Sequence, residues 1–142
     1  MKNFLVINGP NLNMLGVRET DTYGSISLEE IQNYTEKKIS ELDVKLEWWQ
    51  SNSEAEIIER LHKLTNEKHD ALIINPAAFS HTSIAILDAL KILKIPVVEV
   101  HLTNTYSRES FRHSMLTAQA ASIIMGGLGK EAYYFAVLSQ LN

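Results

Sequence analysis

The sequence predicts an α/β fold: a doubly wound parallel sheet of five strands in a single domain. Three observations carry this expectation. Short apolar runs alternate with amphipathic stretches along the whole chain, the pattern of a parallel sheet wrapped by helices. The length of 142 residues suits one ordinary domain. A composition 45% hydrophobic and 21% charged allows a substantial core, and no repeat, linker or low-complexity segment interrupts it.

In chain order, Phe4-Leu5-Val6-Ile7 reads as a buried strand, followed by a polar loop to about Ser25. Ser27 then caps a helix, and Glu30 three residues on completes a capping-box pattern. Val44 to Gln50 forms the second strand, whose Trp48-Trp49 pair suits a covered sheet edge. Ser53 and Glu56 repeat the capping pattern, and Ile57, Ile58, Leu61 and Leu64 mark that helix's inner face. Ala71-Leu72-Ile73-Ile74 is the third strand and Val97-Val98-Glu99-Val100 the fourth. The helix between them carries Ile84, Leu87, Leu90 and Leu93. Ile123-Ile124-Met125 makes the fifth strand, and Gly126-Gly127-Leu128-Gly129 leads into a last helix ending near Leu141. This succession is flavodoxin-like. With strand order 2-1-3-4-5, ligands bind beyond the carboxyl ends of the strands at the switch point. Those ends are Asn8-Gly9-Pro10-Asn11, Asn75-Pro76 and His101.

Several function classes drop out. A formal net charge of -4 with scattered Lys and Arg lacks the basic footprint of a nucleic-acid binder. The absence of cysteine excludes disulfides, thiolate nucleophiles and thiolate metal sites. Gly9 and Gly16 form no phosphate-binding P-loop, and the glycines at 126, 127 and 129 follow the last strand, not the first. His62, His69 and His113 read as isolated, exposed residues with no metal-ligand spacing. Neither a nucleotide cofactor nor a metal is expected. No run approaches the roughly 20 apolar residues of a membrane span, and the short apolar start is no signal-peptide core. The chain reads as cytoplasmic.

What remains is acid–base chemistry. Glu99 and His101 are two apart on a strand, so they face the same way. A carboxylate beside an imidazole fixes its tautomer and makes a proton donor or acceptor. The same spacing also fits a hydrogen-bonded pair at a strand end. His81 stands where a helix begins, among Ser80, Thr82 and Ser83, which suits a hydroxylated or anionic ligand or simple capping by Ser80 or Thr82. The loop at about 16–25 is long and polar enough for a lid. Within it, Arg18 beside Tyr23 would favour the ionised phenol, though Tyr23 also fits plain packing. Arg112 suits a substrate clamp or a solvated face. Asp88 reads as an exposed helical residue.

These residues fall into a family pattern. Asn8-Gly9-Pro10-Asn11-Leu12-Asn13-Met14-Leu15-Gly16, then Arg18-Glu19 and Tyr23-Gly24, resemble the opening signature of type II 3-dehydroquinate dehydratases. Gln50-Ser51-Asn52, Asn75-Pro76-Ala77-Ala78, His81-Thr82-Ser83, Glu99 to Asn104, Arg108-Glu109 and Phe111-Arg112 continue it in order over essentially the whole chain. The resemblance implies anti elimination of water from 3-dehydroquinate to 3-dehydroshikimate in the shikimate pathway. It implies Tyr23 as base, with Arg18 keeping it ionised, and Asn11 holding a water at the enolate oxygen. His101, oriented by Glu99, becomes the proton donor to the leaving hydroxyl. Asn75, His81 and Arg112 bind ring hydroxyls, and the backbone amides of Leu102 and Thr103 take the carboxylate. Asp88 reaches a neighbouring subunit's site in a dodecamer of four trimers. Thr20, Met115 and Gln119 depart from the usual pattern, at positions outside this set. Two rivals stay open at this point: a non-catalytic flavodoxin-like small-molecule binding module, and a lyase for another cyclic hydroxy acid.

Overall fold

The computed structural model describes residues 1–17, 21 and 24–141. Its five strands are β1 (Lys2–Asn8), β2 (Val44–Gln50), β3 (Ala71–Asn75), β4 (Val97–His101) and β5 (Ile123–Gly126). All neighbours pair in parallel, in the order β2-β1-β3-β4-β5. The expected doubly wound sheet is therefore present, with its switch point between β1 and β3.

The helices are α1 (Leu28–Lys38), α2 (Glu54–Leu64), α3 (Phe79–Thr82), α4 (Ile84–Leu90) and α5 (Ala132–Ser139). Ser27 Oγ accepts from the amide of Glu30, and Ser53 Oγ from that of Glu56, as the sequence motifs predict. Glu56 does not close the box in return; its carboxylate accepts from Ser51 Oγ at 2.7 Å. Helix α4 ends at Leu90, so Leu93 packs from the following turn instead of from a helical face. The one-turn helix α3 was not expected. It follows a turn at Ala77, whose φ is 53°, and the extended backbone of Ser83 separates it from α4.

Successive side chains of a strand point to opposite faces, and the central strands are covered on both. Phe4 and Val6 join Ile31, Tyr133 and Val137 on one side; Leu5 and Ile7 join Ile57, Leu61 and Ile86 on the other. Each such fully buried aliphatic side chain contributes about 1.5–3 kcal/mol of transfer free energy. The edge strand β2 splits its tryptophans between the two layers. Trp48 meets Tyr133 edge-on at 5.3 Å and donates to Glu36, while Trp49 packs on the opposite core.

One glycine ties the sheet to the site. Gly9 donates to the Asn75 carbonyl at 2.8 Å where the ends of β1 and β3 touch. A Cβ there would sit 2.5 Å from the Pro76 carbonyl oxygen. Gly9→Ala should therefore cost about 1–3 kcal/mol through forced backbone shifts, seen as a fall of several degrees in Tm.

The histidine reading needs correction. His62 and His113 are exposed, but the His69 side chain is only 5% exposed and meets Glu47 at 3.0 Å. Ligand atoms of Glu47, Glu67 and His69 lie within 4.8 Å of one another. Buried Arg60 already bridges both carboxylates, at 3.2 and 2.6 Å. No sequence spacing reveals this group, because Glu47 and His69 meet only through tertiary packing.

Candidate active site

A cavity opens beyond the carboxyl ends of β1, β3 and β4, at the predicted switch point. Asn11, Asn75, His81, His101, Leu102, Thr103 and Arg112 all line it. Seven of the residues singled out from sequence thus converge on one place. Glu99 stands directly behind His101. Asp88, exposed on α4, does not line this cavity. Arg18, Tyr23 and Thr20 lie outside the described residues.

Strand β4 supplies a carboxylate–imidazole pair. Glu99 is fully buried, and its Oε2 lies 2.8 Å from His101 Nε2. Its other oxygen accepts from the hydroxyl of Thr117, itself fully buried, at 2.5 Å. Both carboxylate oxygens are thereby satisfied, as a buried charge requires. With Nε2 engaged by Glu99, the Nδ1 of His101 is the nitrogen left to meet a ligand. Thr117 carries no sequence signal; it is 18 residues from Glu99 and reaches it through the 3-10 turn Thr117–Ala120.

His81 projects from α3 with its Nδ1 2.7 Å from the Ser114 carbonyl. A carbonyl only accepts, so Nδ1 carries the proton and Nε2 is free as an acceptor in the neutral ring. Burial holds the pKa of His81 below its ordinary 6.5, and the charges of His101 and Arg112 push the same way, against the Ser114 bond. The His81 and His101 rings stack at 6.3 Å. The helix cap here is Ser83, whose Oγ accepts from Ile86, and not Ser80 or Thr82. Because the folded value lies below the unfolded one, the stability contributed by neutral His81 is complete above about pH 6.5 and is lost as pH falls through the lower folded value. Wild type should lose more Tm between about pH 7 and about pH 5 than His81→Gln does, a difference that thermal unfolding reads.

The loop after β1 is built by β2. Asn11 takes a left-handed φ of 70°, which asparagine tolerates better than most residues. Its amide donates to Asn52 Oδ1 at 2.9 Å, and Gln50 donates to that same oxygen and to the Gly9 carbonyl. On the opposite wall, Glu109 holds Arg112 at 2.6 Å. Its own backbone amide, and then Arg112, keep the Glu109 carboxyl below its ordinary pKa. Arg108, not chosen from sequence, also lines the cavity, 4.0 Å from Glu109. The site thus joins a positive wall, a neutral hydrogen-bonding floor and a carboxylate-backed imidazole. That set can hold a polyhydroxylated anion and move a proton. Among the described residues, no helix is long and apolar enough to cross a membrane.

The family described as "Dehydroquinase class II" matches residues 2–141. A 3-dehydroquinate dehydratase of Clostridium botulinum is 48% identical over 142 residues, covering 100% of this chain and 96% of the relative. One from Caldicellulosiruptor bescii is 47% identical over 137 residues, covering 96% and 94%. The type II dehydroquinase crystal structure from Butyrivibrio crossotus superposes with a TM-score of 0.96 at 36% identity, over 99% of this chain and 98% of that one.

Proposed function

Because the chain belongs to the class II dehydroquinase family, we propose that its cavity takes 3-dehydroquinate and eliminates water from it, giving 3-dehydroshikimate. The observation that carries this reading is the convergence of Asn75, His81, His101 and Arg112 on one cavity, with Glu99 2.8 Å behind His101.

The reaction divides its work among these groups. Tyr23, ionised with the help of Arg18, removes the proton beside the ketone. That proton is weakly acidic, so stabilising the enolate supplies much of the barrier reduction; Asn11 does this through a held water. The enolate then re-forms the ketone and expels the ring hydroxyl, to which His101 delivers a proton. Glu99 keeps the imidazole oriented and stabilises its charged form. Neutral His81 accepts from a ring hydroxyl, while Asn75 and Arg112 donate to others. The backbone amides of Leu102 and Thr103, beside the positive wall, take the carboxylate.

The product is a conjugated enone, so its ultraviolet absorbance should grow when 3-dehydroquinate meets the enzyme. No growth at any pH would sink the proposal. The reading places the chain in the shikimate pathway in the cytoplasm. It also assigns Asp88, exposed on α4, to a neighbouring subunit's site in a dodecamer of four trimers. Light scattering should then give the mass of twelve chains, or of three. A fully active monomer would remove both the assembly and the role of Asp88.

A further inference from the structure

Behind the cavity, the last helix sends one polar group into the sheet. Tyr133 of α5 is fully buried. Its hydroxyl lies between two strand-end amides: Asn75 Nδ2 donates to it at 3.2 Å, and it donates to Asn8 Oδ1. The direction of these bonds follows from a single fixed donor. The backbone N–H of Ala77 can only donate, and it donates to Asn75 Oδ1 at 3.2 Å. The nitrogen of Asn75 must then face Tyr133. The tyrosine oxygen accepts there, and its one hydrogen goes to Asn8. Burial pushes the Tyr133 phenol well above its ordinary pKa, so that hydrogen stays in place. Asn8 Nδ2 has no partner among the described residues, so the Tyr133 hydroxyl is the hydrogen-bond anchor of the Asn8 side chain.

We propose that Tyr133 is a positioning residue for substrate specificity, holding the Asn75 amide so that it presents an N–H to the bound ring. The oxygen of Asn75 is turned to the Ala77 amide and one amide hydrogen to Tyr133. The other N–H is the donor that remains for the cavity that Asn75 lines. Asn75 therefore recognises an acceptor oxygen of the substrate and cannot turn to accept from a donor. The inference rests on the reading of this cavity as the dehydroquinate site.

Tyr133→Phe keeps the ring and deletes the hydroxyl alone. KM for 3-dehydroquinate should rise roughly tenfold, the size of one neutral hydrogen bond. Turnover should change far less, because Asn75 binds ground and transition states alike. In an Asn75→Ala background the same substitution should raise KM by less than about twofold more. An unmoved KM, or an equal rise in both backgrounds, would overturn the proposal. If Tyr133→Phe fails to fold, Asn8→Ala removes the acceptor at the far end and should raise KM too; an unchanged KM there has the same force. A wild type without turnover would instead defeat the functional reading. The relay is then read from the side-chain amide protons of Asn75 by NMR. They should shift in Tyr133→Phe, and if they stay in place Tyr133 does not hold that amide.

Discussion

Tyr23→Phe should fold, bind 3-dehydroquinate and lose about 10²–10⁴-fold in turnover, the range a positioned general base contributes. The substitution leaves the ring and removes the oxygen proposed to take the proton. Because the substrate is held by other groups, KM should move little. Arg18→Ala should act differently. It keeps the phenol but removes the charge that favours its ionised form. An ordinary phenol titrates near pKa 10, and each unit of displacement corresponds to ~1.4 kcal/mol. Turnover at neutral pH should therefore fall, and the alkaline rise in residual activity should move to higher pH. Rate against pH for both variants separates the roles. Substantial turnover in Tyr23→Phe means another group is the base. A slow Arg18→Ala with an unmoved profile means Arg18 positions substrate and does not tune the phenol.

Arg18 and Tyr23 are legible as part of a motif and lie outside the described residues. The rest of the site shows what kind of information a sequence carries. The pair Glu99 and His101 was legible because a strand has period two, and two residues apart on a buried strand can only face the same side. Strand order and switch point followed from alternating apolar and amphipathic runs, and the structure has that order. Local caps were legible for the same reason: Ser27 and Ser53 act on amides three residues away. What stayed hidden is long-range. Thr117 reaches Glu99 across 18 residues, Asn52 reaches Asn11 across 41, and Tyr133 reaches Asn8 across 125. His69 looked like a surface histidine because nothing near it in sequence announces Arg60 or Glu47. The turn ahead of α3 depends on a left-handed alanine, Ala77, a conformation that composition does not advertise. Pattern finds which elements form and which way they face. Packing decides which side chains from different elements complete one another's hydrogen bonds.

The second large effect concerns His101, the proposed proton donor. His101→Ala should lower turnover by about 10²–10⁴-fold, since the departing hydroxyl then leaves without a positioned acid. Glu99→Gln is the sharper experiment, because it changes no contact atom at the substrate. In the native pair a carboxylate oxygen faces His101 Nε2 at 2.8 Å, and Thr117 donates to the other oxygen at 2.5 Å. The Thr117 hydroxyl can donate to the glutamine oxygen or accept from its NH₂, so either end of the amide can face Nε2. In neither orientation does a negative charge remain beside the ring. The imidazole keeps a hydrogen-bond partner and loses the carboxylate behind it. At neutral pH turnover should drop toward that of His101→Ala, since residues acting as one unit lose nearly the whole effect when either fails. A Glu99→Gln enzyme with wild-type turnover would show that the carboxylate only fills its buried place. One as slow as His101→Ala would make the carboxylate part of one unit with the imidazole.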